Sequence, residues 1–472
     1  MSEPRTLLDK LWEKATVVSE TAEHPAVLFV DLHLLHEVTS SQAFEMLRAR
    51  GLGVAHPSRT LAITDHAVPT SPPVNNEWPF VSNAARKAVA QLEQNCSAYG
   101  INVLGLDHDQ QGIVHVVAPE LGLTWPGSVI VCGDSHTSTQ GAYGALAFGI
   151  GSSEVAGVLA TQTLLMKKPR ALKVELVGSR IPVGVTAKDI SLRVLSHVGV
   201  GGAQGGVIEF CGTALKLMSM DERMTLCNQS VEAGARTAIV AVDEVTLADL
   251  QNRPGIPQGE EFEKLKHEWL ALCSDPGAEY SASWTLDVST VEPRVTYGTL
   301  PALSVAVNDA IPSSPPRGCD EKLWRDGIKY LALQPGQKMS EIPVHHVFIG
   351  SCTNGRLSDL RMAAKVLNNK KIAPGVTLWV VPGSRSVRRA AEKEGLDKIF
   401  RNAGAQWREP GCSLCVAMNG DMIPAGELCV STSNRNFAHR QGPQSRTILA
   451  SPLTAAAAAL CGRIVDPREV LR

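Results

Sequence analysis

Apolar runs of strand length alternate with helix-patterned segments along much of this chain, and few architectures satisfy that alternation. Residues 128–132, 344–349 and 377–381 read as strands, and residues 356–367 and 387–394, which follow the last two, carry helical spacing. Strand, helix and strand in succession give parallel strands joined by a crossing helix, so the chain is expected to be α/β, with mostly parallel sheets covered by helices. In such sheets, ligands bind beyond the carboxyl ends of the strands. A long small-residue helix through Ala145, Ala147, Ala156 and Ala160 is expected to follow the loop 133–139. With 472 residues, 44% of them hydrophobic, the chain has material for about three domains. The charged break at 167–170, read as following a helix, and a second at 291–294 divide it into 1–170, 171–294 and 295–472; residues 311–318 read as a Pro-rich loop.

The net charge of −2 gives no electrostatic case for nucleic-acid binding. No apolar run reaches transmembrane length. Residues 6–14 form an amphipathic helical pattern carrying Asp9 and Glu13, which is not an export signal. A reducing cytoplasm is the expected location.

Cys352 closes the apolar run 347–349 through Gly350-Ser351, and Cys412 and Cys415 form a distant Cys-x-x-Cys. Three thiolates are one short of a closed structural zinc site and suit a metal centre with an open position. Spacing leaves alternatives: a metal or iron–sulfur site, a redox pair, or plain buried thiols. Pro410-Gly411 before and residues 416–419 after suggest a tight turn entering a helix, a setting that lowers thiol pKa. The other cysteines considered, Cys96, Cys211, Cys273, Cys319, Cys429 and Cys461, read as small buried hydrophobes. Polar clusters interrupt the apolar background: Asp65-His66, His115, Asp134-Ser135-His136, Asn228 with Glu232 one helical turn on, and Arg435 with Arg440 in a polar loop. Asp–His and Glu–His pairs suit acid–base work, and arginines hold carboxylates. Each cluster alone reads as well as a structural pair; together, beside three cysteines, they point to one cleft.

The runs His36-Glu37-Val38-Thr39-Ser40, Asp65-His66, Gln111-Gly112-Ile113-Val114-His115 and Cys132-Gly133-Asp134-Ser135-His136-Thr137 resemble the aconitase superfamily and, within it, the 3-isopropylmalate dehydratase (isopropylmalate isomerase) large-subunit family. So do Met224-Thr225-Leu226-Cys227-Asn228, Gly350-Ser351-Cys352-Thr353-Asn354, Pro410-Gly411-Cys412-Ser413-Leu414-Cys415 and Thr432-Ser433-Asn434-Arg435-Asn436-Phe437. The resemblance implies an aconitase-like, three-domain α/β/α arrangement around a central iron–sulfur cleft. It implies one 4Fe–4S cluster on Cys352, Cys412 and Cys415, with one iron free of cysteine. It implies a dehydration–rehydration in which Asp65 and His66 act on the departing hydroxyl. Asp134, His136 and Glu232 would hold the water, with His115 beside Asp134. His36, Ser135, Asn228, Arg435 and Arg440 would line the substrate.

The family's proton-abstracting serine sits on a swivelling fourth domain. Because the chain ends at Arg472, that domain is expected on a separate small subunit, with no nucleic-acid or membrane partner. Four positions depart from the usual isopropylmalate pattern: Ala67, Asp109, Gly206 and Gly355. The expected substrate is isopropylmalate, in leucine biosynthesis. The alternative is a paralogue acting on citraconate, maleate, dimethylmalate or a malate analogue of specialised metabolism.

Overall fold

A computed structural model describes residues 3–316 and 318–471, so Arg317 of the Pro-rich loop and Arg472 lie outside the described residues. Three parallel sheets organise the chain. The first runs Asn102–Leu104, Thr60–Ile63, Leu32–Leu35, Val129–Cys132, Leu146–Gly149. The second runs Thr237–Val240, Val207–Cys211, Ala171–Val177, Ala282–Asp287. The third runs Gln406–Trp407, Thr377–Val380, His346–Ile349, Leu428–Ser431, Arg446–Leu449. Two small antiparallel sheets complete the set.

The first and third sheets share one topology. In each, the earliest strand lies in the middle, the next two extend one edge, and the last two extend the other. The order therefore reverses beside Leu32–Leu35 in one sheet and beside His346–Ile349 in the other. A crevice opens where adjacent chains leave a sheet in opposite directions, and ligand sites form there. His36, Asp65-His66 and Asp134 follow three adjacent strand ends of the first sheet; Cys352 and the loop beginning at Thr432 follow two of the third.

Backbone-to-backbone contacts clamp these units. A Cβ on Gly112 would lie 2.5 Å from Ser384 Cα, and one on Gly141 would lie 1.8 Å from the Ala238 carbonyl oxygen. Only a residue without a side chain fits either place. The cores interlock as well: Ile113 and Val116 pack with the third sheet's core, and Val207 and Ile239 with the first's.

Three expectations need correction. Ala145 and Ala147 are not helical: the chain makes a 3-10 helix, Ser135–Tyr143, and then the strand Leu146–Gly149. Left-handed Gly144 (φ 73°) stops the helix, and the strand, buried through Leu146, Ala147 and Phe148, then pairs with Val129–Cys132; the α-helix begins only at Ser152. The break at 167–170 follows a strand, Thr163–Met166, because that segment completes an antiparallel sheet with Ala26–Phe29. Of the cysteines read as buried hydrophobes, Cys96 and Cys429 are buried, Cys211 and Cys319 half-buried, and Cys273 and Cys461 exposed.

Where the three units meet, a cavity of about 440 Å³ is lined by Glu120, Asp221, Arg253, Arg356 and Arg361 among others. Burial pushes the Glu120 carboxyl up to about 7, only partly offset by the Ser384 hydroxyl and the Arg253 charge. A folded-state value above the unfolded one means that its contribution to stability is complete below about pH 4.5 and is lost as pH rises through about 7. Glu120→Gln should therefore match the parent's Tm at pH 4.5 and exceed it at pH 8. Equal Tm differences at both pH values would show that Glu120 ionises freely.

Candidate active site

The carboxylate of Asp134, carried past the end of Val129–Cys132, gathers three imidazoles. His136 Nδ1 lies 3.2 Å from Oδ1, His115 Nε2 3.7 Å from Oδ1, and His66 Nε2 3.3 Å from Oδ2. Asp134 also caps its own 3-10 helix by accepting the His136 N–H at 2.7 Å. Burial opposes its ionisation, but the three imidazoles of His115, His136 and His66 gathered around it outweigh burial and hold the carboxyl well below its ordinary value.

His66 stands between two carboxylates. Its Nδ1 is 2.5 Å from Asp65 Oδ1, and its Nε2 faces Asp134. Burial disfavours the imidazolium, yet the Asp65 charge, the Cys412 sulfur and hydrogen bonds to Asp134 and Asp65 hold its pKa well above the usual histidine value. His66 is thus favoured toward the imidazolium with a fixed ring, the form that donates a proton. His36 stacks on it, centroids 4.3 Å apart. Burial, with His66 next, lowers His36 to about 4, so it stays neutral. Its Nδ1 accepts the Val38 N–H and caps the helix Glu37–Ala49.

From Asp134 the polar chain runs outward. His136 Nε2 is 3.1 Å from Glu232 Oε1, Arg435 Nε donates to that same oxygen at 2.8 Å, and Arg435 Nη2 donates to Ser135 Oγ at 2.8 Å. Ser135 accepts here, which leaves its own hydrogen free. Asn228 and Glu232 both face the site but not as one helical turn: Asn228 is in the helix Met220–Ser230, and Glu232 is in the 3-10 turn Val231–Ala233. Arg440 joins none of these contacts; it stacks over Phe437, with its Nε buried and unpartnered.

All three cysteines are buried. Cys352 lies in the short helix Ser351–Asn354, entered through left-handed Ser351 (φ 73°) and braced by Arg356, which donates to the carbonyls of Cys352 (2.7 Å) and Thr353 (2.8 Å). The amides of Asn228 and Asn434 donate to its sulfur at 3.2 and 3.5 Å, and Asn434 also receives the Cys415 thiol at 3.5 Å. The Cys-x-x-Cys does not enter a helix. It makes one 3-10 turn, Ser413–Cys415, because Ser413 (φ 48°) and Ala417 (φ 57°) are left-handed and Asp421 captures the Ser413 hydroxyl at 2.6 Å. Nor are Cys352 and Cys412 acidic: burial raises Cys352 to about 12 and Cys412 well above its ordinary value.

Thiols so buried ionise only against a strong local cation, so a metal group would have to supply that charge. Amide donors aimed at sulfur suit a thiolate. Among the described residues, the one group of three or more His, Cys, Asp or Glu ligand atoms gathered within 4.8 Å is His36, Glu37, Asp65 and His66. The three sulfurs are spread more widely than a single tetrahedral zinc requires, and a larger, polynuclear group fits them better. The histidine–carboxylate group is already internally bonded: Glu37 accepts the backbone N–H groups of Asp65 (3.2 Å), His66 (2.8 Å) and Ala67 (2.5 Å).

Sequence reasoning missed Glu37 and Lys188. Glu37 follows a strand and opens a helix, where an acidic residue is ordinary. Its burial, at 2% exposure, is what marks it. Lys188 is fully buried and donates to the Ser433 carbonyl at 2.5 Å; its Thr-Ala-Lys-Asp context reads only as a helix start.

A family model described as aconitase family (aconitate hydratase) matches residues 9–462. The 3-isopropylmalate dehydratase large subunit of Anaeromyxobacter dehalogenans is 51% identical over 473 residues, covering 100% of this chain and 98% of its own. That of Roseiflexus castenholzii is 52% identical over 470 residues, covering 99% of each. The crystal structure of Thermococcus kodakaraensis aconitase X aligns at a TM-score of 0.45 with 11% identity, covering 91% of this chain and 89% of its own.

Glu37→Ala should strand three buried N–H groups and cost about 3 kcal/mol or more. Denaturant unfolding measures this; a loss under about 1 kcal/mol would mean that water replaces the carboxylate.

Proposed function

This chain belongs to the aconitase family, and on that premise we propose that it is the large, iron–sulfur subunit of a hydro-lyase that interconverts 2- and 3-isopropylmalate by dehydration and rehydration, in leucine biosynthesis. The observation that carries this is the unbroken polar chain Asp65–His66–Asp134–His136–Glu232–Arg435 beside three buried thiols. Relatives about half identical over the whole chain, named as 3-isopropylmalate dehydratase large subunits, support the substrate. In this reading the chain divides near residues 170 and 294 and works in the cytoplasm.

Cys352, Cys412 and Cys415 would hold one 4Fe–4S cluster, which when bound supplies a Lewis-acid iron with a position free of cysteine. His66 gives its Nε2 proton to the departing hydroxyl, and Asp65 keeps the ring oriented. Asp134, with His115 beside it, and the pair His136–Glu232 hold the released water and return it in the hydration half-reaction. Ser135, with its hydrogen free, and Arg435 grip one substrate carboxylate, and Arg440 would meet the other. Asn228 fixes Cys352, and His36 keeps a neutral ring against His66. Proton abstraction requires a base within hydrogen-bond reach of the substrate. The relatives' designation as large subunits supports its arrival on a small partner chain.

Purified without oxygen, the chain should be brown, with iron and sulfide each about four per chain. Cys352→Ser, Cys412→Ser and Cys415→Ser should each abolish the colour. A colourless, zinc-loaded protein would overturn the cluster.

Turnover of 2- and 3-isopropylmalate, citraconate and maleate should be measured with and without the small subunit. Activity is expected on isopropylmalate and only with both chains. Asp65→Ala and His66→Ala should each cut it by roughly two to four decades, far from additively. Full turnover by this chain alone would refute the two-chain reading, and activity confined to citraconate or maleate would replace the substrate.

A further inference from the structure

We propose that Lys188 is a positioning residue of the cysteine-lined site: its ammonium holds the loop that carries Asn434 and Arg435 and supplies positive charge beside the thiolates of Cys352 and Cys415. The inference rests on the proposed function for the presence of a cluster, and on geometry for the rest.

Lys188 is the one fully buried lysine among the described residues. It sits in the first turn of the helix Ala187–Val198, on the middle sheet's unit, and reaches across to the third. Its Nζ donates to the carbonyls of Ser433 at 2.5 Å and Thr432 at 3.5 Å, where the chain leaves the strand Leu428–Ser431. The next two residues are Asn434, bonded to the sulfurs of Cys352 and Cys415, and Arg435, bonded to Glu232 and Ser135. One side chain therefore sets both a sulfur partner and a substrate-facing guanidinium.

No carboxylate among the described residues lies within 4.0 Å of Nζ. A buried ammonium without a counter-charge is costly. Burial accordingly lowers Lys188 to about 7, and the groups that oppose this are Cys415, Glu232, Cys352 and Asp189, in that order. Two of the four are committed elsewhere. Asp189 accepts the backbone N–H groups of Thr186 and Arg294, and Glu232 is held by His136 and Arg435. The sulfurs remain. A fully buried ammonium with no carboxylate in reach is unfavourable alone. Thiolates held in a metal group would supply the negative charge that the ammonium lacks.

Three variants separate charge from hold. Lys188→Gln keeps a donor for the carbonyls and loses the charge; Lys188→Met loses both; Lys188→Arg keeps the charge. Each is reconstituted anaerobically with iron and sulfide, and the kinetics are measured with the small subunit present. The cluster's reduction potential should move negative in the Gln and Met variants and stay near the parent's in Arg. Iron loss to a chelator should be about tenfold faster in Gln and Met. KM should rise about tenfold in Met, through a displaced Arg435, and stay within about twofold in Gln. Without iron, the Gln variant should melt at or above the parent, since an uncompensated ammonium has been removed. A parent-like potential and iron retention in the Gln variant would overturn the proposal. So would an iron-free Gln variant that melts several degrees below the parent, a comparison that needs no cluster. A parent chain that takes up no cluster would sink the proposed function instead.

Discussion

A carboxylate largely withdrawn from water has to be paired, and in this molecule the need falls on half-buried Asp134. It sits among three imidazoles: one on its own loop, one on the exit of the strand two places along the sheet, and one on the helix Val114–Glu120. Each imidazole brings a further partner or scaffold. His66 brings Asp65, which accepts the Val114 N–H at 3.0 Å and whose carbonyl accepts the Cys412 N–H at 2.9 Å. His136 brings Glu232 and, through it, Arg435. Remove the charge on Asp134 and His66 loses one of the two carboxylates that keep it protonated, while Glu232 and Arg435 are left to balance each other.

Two crevices of the same topology make that convergence possible. The first sheet's strand reversal delivers acids and histidines; the third sheet's delivers a cysteine turn and the Asn434–Arg435 loop. The middle sheet contributes from its helices, through Asn228, Glu232 and Lys188. Acid–base groups and sulfur ligands thus come from separate scaffolds and meet only at the seam. The loop with Cys412 and Cys415 belongs to both sides: Asp421, bonded to Ser413, Thr70 and Arg408, ties it across the seam.

Much of this was readable in the chain, because strand ends announce themselves. An apolar run that stops at Asp65-His66, Asp134 or Cys352 shows both the strand and the place where its side chains emerge. What could not be read depended on packing. Gly144 turns a run of small residues into a 3-10 helix and a strand, although alanines alone suggest a helix. The Cys-x-x-Cys turn is shaped by Asp421 and two left-handed residues, so the expected helix, and the thiol acidity that would follow from it, do not occur. Glu37 and Lys188 look like ordinary helix-start residues; only their complete burial gives them a role.

The glycine contacts carry a mechanical consequence. At Gly112 and Gly141, backbone rests on backbone with no side chain between, so at these two points no side chain can give way. The three sheets behave as a single anvil, with Asp134, Glu232 and the cysteine turn set in its face at fixed separations. If, as proposed, a small partner chain completes the site, that chain is the piece free to open and close over this face, and the timing of each turnover would belong to it while the shape of the chemistry stays with this chain.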